Sequence, residues 1–268
     1  MKKTKTVFFA LFIIFSVNSY SQNNEFSILS YNVHHCNPPS KENFIDIAAI
    51  AKVINSVKPD LVALQEIDVN TERSGSHINQ AEELGRQTGM YSFFVKTIDF
   101  QGGAYGIAVL SKYPFISTRA IELPMEHNAG GEPRAVAFVV VEPVEGHKIA
   151  FASTHFDLEE ENKKLQINSI IDYVQDINIP VILAGDFNAE PDSYVIQALD
   201  KVFQRTCIRC PFTIPEIEPS HTIDYISFTP KGSFEVVKHE VINEDYASDH
   251  LPVFAIVKKK SNDAKNGW

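Results

Sequence analysis

Apolar residues recur at three and four positions from Phe44 through Ile47, Ala48, Ala51 and Ile54 to Val57. This spacing predicts an amphipathic helix that stops before Pro59, behind a chain break and cap at Pro38-Pro39-Ser40. A second helix is predicted from Ile78 to Thr88, with Gly89 just past its end, and a third from Glu159 to Asp176, with Leu165, Ile170, Ile171, Val174 and Ile177 on its inner face. A short fourth helix is predicted near Ser193 to Leu199. Between them lie apolar runs without helical period. Those at Phe26–Tyr31, Leu61–Leu64, Val181–Ala184, Thr222–Phe228, Phe234–Val241 and Pro252–Val257 read as strands, as does the central series Tyr91–Lys96, Tyr105–Leu110, Ile116–Leu123, Arg134–Val141 and Lys148–Thr154. Turn residues at Gly102-Gly103, Tyr113-Pro114, Gly130-Gly131 and Glu145-Gly146 join the central series closely, which predicts antiparallel pairing. The strands are too numerous for one open sheet. Two packed sheets with helices outside, a single-domain α/β sandwich, is the expected architecture.

The first segment has a different character. Lys2, Lys3 and Lys5 precede the apolar stretch Val7 to Val17, and small residues follow at Ser19 and Ser21, the layout of a secretory signal cleaved near Ser21–Gln22. The stretch is shorter than the roughly 20 residues needed to span a bilayer. We therefore expect a leader over residues 1–21, one domain over 22–260 and a solvated tail over 261–268, with export to a periplasm or the cell exterior. The remaining body, about 245 residues, suits one large core. Loss of the leader leaves 21 basic against 34 acidic residues, a net of −13. Such a chain is poorly matched to gripping a nucleic-acid backbone, which needs Lys and Arg against phosphates. Cys207-Ile-Arg-Cys210 lacks the second ligand pair of a structural zinc site and is either a local disulfide or two free thiols; Cys36 reads as a small packing residue.

Polar clusters stand at the rims of five apolar runs: Ser30-Tyr31-Asn32, Leu64-Gln65-Glu66, Ser153-Thr154-His155, Gly185-Asp186-Phe187-Asn188 and Ser248-Asp249-His250. Strand alternation sends Asp186 and Asn188 to one side and Phe187 into packing. A carboxylate there binds a hard cation or orients water, and the carboxamide donates to a phosphoryl oxygen; a strand-ending turn explains the same residues equally well. Asp249 beside His250 is either surface decoration at a strand start or gives one group for a metal and one that exchanges protons near neutral pH. Asp224, inside the apolar Thr222–Phe228 run, needs a partner if buried, and an imidazole is a natural one. Glu66 and Asn32 end their strands, each with an oxygen at the rim, and Mg²⁺ needs only one or two carboxylates with an amide; a solvated strand end explains Glu66 alone as well. His155 is either a site residue or a satisfied core histidine. Arg134 either forks onto a phosphate or pairs with Glu132, and Tyr105 either touches substrate or packs in the core.

In chain order the blocks S-Y-N, L-Q-E, Y-G-I-A-V-L-S-K-Y-P, E-P-R-A, T-H-F-D, G-D-F-N, I-D-Y-I and S-D-H resemble those of the endonuclease/exonuclease/phosphatase superfamily, from Phe26 to about Val257. The resemblance implies a four-layer α/β/β/α sandwich, DNase I-like, of two mixed and mostly antiparallel sheets packed face to face, with the site at one rim. It implies Mg²⁺, or alternatively Mn²⁺, held by Asn32 and Glu66 with Asp249 nearby. His250, oriented by Asp224, would activate water; Asp186 and Asn188 would position water and phosphoryl oxygens; His155 would act on the leaving side. Two departures stand out. Abasic-site endonucleases usually carry tyrosine at the place of His155, and DNase I-like members support that histidine with a glutamate where Ile107 lies here, which leaves Asp157 as the expected support. The leading expectation is an exported, monomeric Mg²⁺-dependent hydrolase of a small or lipid-linked phosphate ester. An extracellular nuclease and an inactive binding module are the alternatives. Specificity is expected in Asn70–Ser76, Met125–Gly131 and Arg205–Ser220.

Overall fold

Strands buried on both faces set the architecture of this chain, whose computed structural model describes residues 25–126 and 128–260. The expected leader, 1–21, and tail, 261–268, lie outside the described residues. In order, the elements are β1 (Glu25–Asn32), α1 (Ile47–Val57), β2 (Leu61–Val69), α2 (Gln80–Thr88), β3 (Tyr91–Phe100), β4 (Gly103–Ser111), β5 (Phe115–Glu122) and β6 (Ala135–Val144). There follow β7 (His147–His155), α3 (Glu160–Gln175), β8 (Val181–Asp186), α4 (Tyr194–Val202), β9 (Gln204–Arg205), β10 (Asp224–Thr229), β11 (Phe234–Val241) and β12 (Val253–Lys259).

Two six-stranded sheets result, ordered β11-β12-β1-β2-β4-β3 and β5-β6-β7-β8-β10-β9. The pairs β1–β2 and β7–β8 are parallel. The other pairs are antiparallel, including the expected β3–β4, β5–β6 and β6–β7. Side-chain parity explains the stacking. Phe26 and Ile28 of β1, Leu61 and Ala63 of β2, and Ile182 and Ala184 of β8 meet in the core between the sheets. Their alternates, Leu29 and Tyr31, Val62 and Leu64, pack under α1 and α2, while Val181 and Leu183 pack under α3 and α4. A strand that buries both faces must lie inside a stack, and the result is the four-layer α/β/β/α sandwich.

Several local expectations shift. The first helix begins at Ile47, not near Phe44, because Asp46 and not Ser40 is its cap, accepting from Ala49 N at 2.9 Å. Phe44 is left exposed. In and just after α3, Ile170, Ile171, Val174 and Ile177 pack inward as expected, but Leu165 is exposed and Gln166 and Ile167 are buried in its stead. β2 does not end at Leu64 but runs on to Val69 through a bulge between Leu64 and Ile67. Cys207 and Cys210 form a disulfide, and Cys36 is a buried free thiol. Among the described residues no helix is long and apolar enough to cross a membrane.

One contact binds the fold to what lies at its rim. Thr154 of β7 and Gly185 of β8 are register partners, and a methyl on Gly185 would stand 2.0 Å from the Thr154 carbonyl oxygen. The two strands can approach only because residue 185 has no side chain. Gly185→Ala is expected to cost about 1–3 kcal/mol through overpacking. Urea denaturation measures it, and an unchanged midpoint would contradict the close approach.

Candidate active site

The parity that fills the core continues to its rim and delivers the polar residues there. Positions 28, 30 and 32 of β1 share a face, as do 151, 153 and 155 of β7, 182, 184 and 186 of β8, and 224, 226 and 228 of β10. Ile28, Phe151, Ile182, Ala184, Ile226 and Phe228 lie in the inter-sheet core, so Asn32, His155, Asp186 and Asp224 enter the same gap one step further along. Register aligns them. His155 is the partner of Asp186 across β7–β8, and Asp186 is the partner of Asp224 across β8–β10, which sets three functional groups on one rung.

Asp186 is the hub. It is 1% exposed; its Oδ2 accepts from Asn32 Nδ2 at 3.1 Å and lies 3.5 Å from His155 Nε2 and 3.8 Å from His250 Nε2. Its Oδ1 accepts from Asn188 N at 2.8 Å. His250 comes from the segment entering β12, where Ser248 anchors the chain by donating to Asn32 O at 2.7 Å. His250 Nδ1 meets Asp224 Oδ2 at 2.9 Å, the expected pairing. Phe187 points away into packing against Phe156 and Tyr225, as alternation requires. Asn188 Nδ2 donates to Phe156 O, and Lys163, buried on α3, donates to Asn188 O.

Glu66 stands on the β2 bulge with φ of 59°, a left-handed residue that breaks alternation and turns its side chain to the rim. Its Oε1 accepts from Asn32 Nδ2 at 3.1 Å. Asn32 bridges Glu66 and Asp186 through its amide nitrogen, while its oxygen accepts from His34 N at 3.1 Å. Asp249 shares a cavity of about 360 Å³ with Glu66. Tyr105 lines the same cavity.

Arg134 resolves two open points. Its Nη2 pairs with Glu132 at 3.3 Å, and its Nη1 lies 3.3 Å from His155 Nδ1. A guanidinium only donates, so His155 accepts at Nδ1 and carries its proton on Nε2, facing Asp186. Asp157, the expected support of His155, is instead occupied by Leu158 N, Asn162 Nδ2 and Glu132 N, where it shapes the loop before β6. Ile107 is a buried residue of the inter-sheet core.

Electrostatics separate the two imidazoles. Burial and then the Arg134 charge push His155 down to about 3, so it is neutral. Burial would also lower His250, but Asp224 and then Asp186 outweigh it and hold the ring protonated well above the usual histidine range. Burial, then the facing Asp224, pushes Asp186 up. Burial alone would raise Glu66; the neighbouring His35, then His155, Asn32 and His250 overcome it and keep that carboxylate ionised.

Sequence reasoning did not single out His34, His35, Arg73, Phe100 and Glu132, which also line the cavity. The histidines follow Asn32 after Val33, in a 3₁₀ turn with positive φ. Arg73 falls in the first of the three segments set aside for specificity. The second segment borders a separate groove of about 650 Å³ beside Arg134, through Met125, Gly130 and Gly131. The third carries the disulfide and is tied to the site by Leu251 N donating to Thr213 O.

Two sheets face to face with helices outside, and carboxylates and imidazoles converging at one rim, define the class of DNase I-like phosphoesterases. The Endonuclease/Exonuclease/phosphatase family model matches residues 29–250, and the chain belongs to that family. Its members are phosphoesterases, typically dependent on a divalent metal, and this protein is a phosphoesterase. It superposes on an endonuclease/exonuclease/phosphatase from Beutenbergia cavernae with a TM-score of 0.73 at 23% identity, over 88% of this chain and 72% of that one. A family member from Bacteroides vulgatus gives 0.74 at 19% identity over 88% and 99%. The mannosyl-6-phosphatase of Bacteroides thetaiotaomicron gives 0.69 at 17% over 87% and 99%. No curated protein matches the sequence.

The Arg134–His155 contact makes a direct prediction. Arg134→Met keeps the burial of His155 but removes the facing charge, so the ring's pKa should rise from about 3. NMR titration of the His155 ring measures this. An unmoved titration would show that burial alone sets its state.

Proposed function

We propose that the protein is an exported hydrolase that uses Mg²⁺ to cleave a small phosphate ester, with water activated by the His250–Asp224 pair. The observation that carries this reading is the 2.9 Å contact between His250 Nδ1 and Asp224 Oδ2, which leaves Nε2 directed into the gap beside Asp186. The donor set suits a hard cation. Glu66 and Asp249 are carboxylates that face one cavity, with the Asn32 amide adjacent, whereas Asp224 and His250 spend their facing atoms on each other. The ligand atoms of Asp186, Asp224 and His250 also lie within 4.8 Å of one another, but the 2.9 Å contact makes that group a proton-sharing array. A divalent cation held by Glu66 and Asp249 beside Asn32 would supply Lewis-acid polarisation of the phosphoryl group and would offset charge on the leaving oxygen.

The chain's own residues account for the remaining steps. Asp224 and Asp186 favour the protonated ring of His250; a cation held at Glu66 and Asp249 would oppose that charge and favour the neutral ring, which takes the proton of the attacking water at Nε2 while Asp224 and Asp186 stabilise the imidazolium. His155, neutral and with its proton on Nε2, donates a hydrogen bond to a phosphoryl or leaving-group oxygen without surrendering charge. Arg134 fixes that tautomer. Asn32 and Asn188 hold Asp186 in place. Export is supported by the leader-like residues 1–21, and a small ester by the acidic balance of the body. The likeness to a mannosyl-6-phosphatase points the same way.

Hydrolysis of p-nitrophenyl and bis-p-nitrophenyl phosphate should require Mg²⁺ and stop with EDTA; turnover that ignores EDTA would reject the metal. His250→Ala should lower kcat by about 10²–10⁴-fold, the usual weight of a general base, with the circular dichroism spectrum intact. An equally active variant would remove His250 from the mechanism. Glu66→Gln should shift the Mg²⁺ titration to higher concentration, and an unchanged curve would take Glu66 off the ligand set. Plasmid DNA cleaved orders of magnitude faster than every small ester would instead make the protein a nuclease.

A further inference from the structure

Three consecutive residues with side chains, His34, His35 and Cys36, hold φ of 46°, 42° and 59°. A left-handed run of this kind is disfavoured for L-residues, because each Cβ crowds the following carbonyl oxygen, and it persists only where the surroundings over-determine it. Here the surroundings do so. His34 N donates to Asn32 Oδ1 at 3.1 Å, Cys36 N to Val33 O at 2.7 Å, Gln80 Nε2 to His35 O at 2.7 Å and Asp46 N to Cys36 O at 2.7 Å. The Cys36 thiol is fully buried. What this pinned turn delivers is a pair of imidazoles to the cavity that holds Glu66 and Asp249.

The two rings are not equivalent. His34 spends Nδ1 on Asn37 O at 2.9 Å. His35 Nδ1 is buried, has no hydrogen-bond partner among the described residues, and stands 4.0 Å from Glu66 Oε2. That separation is too long for a direct hydrogen bond. It suits two ligands of one cation, each roughly 2.0–2.2 Å from the ion and so about 3–4 Å from the other. Glu66 Oε1 is committed to Asn32 Nδ2, so Oε2 is the oxygen left to face an ion. The imidazole changes which ion the pair favours. Mg²⁺ takes oxygen ligands, whereas a neutral imidazole suits Zn²⁺ and its neighbours in the first transition row. A ring that served only to balance the charge of Glu66 would close on it to hydrogen-bond distance, and His35 does not.

We propose that His35 Nδ1 and Glu66 Oε2 form a nitrogen–oxygen pair of ligands that lets this cavity take a first-row transition ion, Zn²⁺ or a close relative, more selectively than oxygens alone would. The proposal rests on the cation reading of Glu66 above and refines it. Mg²⁺ and Zn²⁺ share the oxygens, and Zn²⁺ alone uses the imidazole. As a ligand, His35 carries its ring proton on Nε2. His34 holds the turn through Asn37 and is not a ligand.

NMR of the ring nitrogens in ¹⁵N-histidine-labelled protein, titrated with Zn²⁺ and separately with Mg²⁺, tests ligation apart from turnover. Zn²⁺ should move the His35 Nδ1 signal to its metal-bound position, and Mg²⁺ should leave it in place. His35→Asn keeps the left-handed backbone, which asparagine tolerates, and exchanges the nitrogen ligand for an amide. By calorimetry it should weaken Zn²⁺ binding at least tenfold and Mg²⁺ binding less than twofold, while His34→Asn keeps the preference for Zn²⁺. Should His35→Asn fail to fold, the shifted signal must persist in each of His34→Asn, His155→Gln and His250→Ala, and its loss in any of them would assign the ligand elsewhere. A His35 ring that ignores Zn²⁺, or equal weakening of both ions in His35→Asn, would overturn the ligand and leave the Glu66 cation site standing. Zn²⁺ ligation by His35 without any binding of Mg²⁺ would support the ligand and overturn Mg²⁺ as the ion of the hydrolase. Binding of neither ion would overturn both.

Discussion

A carboxylate buried between two sheets is expensive unless both sides supply partners, and Asp186 obtains them from both. Asn32 reaches it from the first sheet, and His155 and the Asn188 backbone from the second. His250, from the segment entering the first sheet, faces it as well. Leaving such a group unpaired costs several kcal/mol. The sheets are consequently held in register at this rim by the same contacts that bring the chemistry together. The neighbouring link, Gln65 donating to Ser153 while Ser153 donates to Leu64 O, joins the sheets one step deeper with neutral groups. Fold and site share one constraint here, so a change that loosens the sheet contact also disperses the catalytic groups.

Much of this was legible in the sequence because the relevant code has a period of two. Ile182, Ala184 and Asp186 share a face by alternation, and so do Ile226 and Asp224; an apolar run that ends in a polar residue of the same parity sends that residue into the gap. Strand existence and the antiparallel central pairs were readable for the same reason. What alternation cannot encode stayed hidden. Glu66 was assigned to a strand end, but it projects because a bulge with positive φ interrupts β2. The α1 cap moved from Ser40 to Asp46 because Asn37 holds the intervening loop through Lys41 O and Phe44 O, a contact between residues with no fixed spacing. Asp157 lies two residues from His155 in sequence, yet Arg134, 21 residues away, is its partner in space.

The rim and the cavity beside it are built differently. Strand parity places Asn32, His155, Asp186 and Asp224, and a few elements of regular geometry suffice. The cavity wall depends on Asp68, a fully buried acid that gathers Arg73, Thr71 and Ser74 from one loop and reaches the His34–His35 turn through Gln80. Loops can vary while the strands are kept, which is how one scaffold serves many esters. A loop that must recognise a ligand nonetheless needs stiffness. Here the Asp68–Arg73 pair supplies it.

The two imidazoles around Asp186 show how neighbours, and not residue type, assign a role. Both rings are buried and both turn Nε2 toward the same carboxylate oxygen. Arg134 at Nδ1 forbids a second positive charge on His155, whereas Asp224 at the same atom of His250 invites one. The environments drive the rings to opposite protonation states within one site, the arrangement that separates an acid–base partner from a neutral donor. Exchanging the partners on Nδ1 would exchange the roles. On the proposed mechanism, an arginine behind His250 would leave it unable to keep a proton taken from water, and an acid behind His155 would set a charged ring beside the leaving group. The protonation states at this rim are therefore fixed one layer behind the two rings, by Arg134 and Asp224.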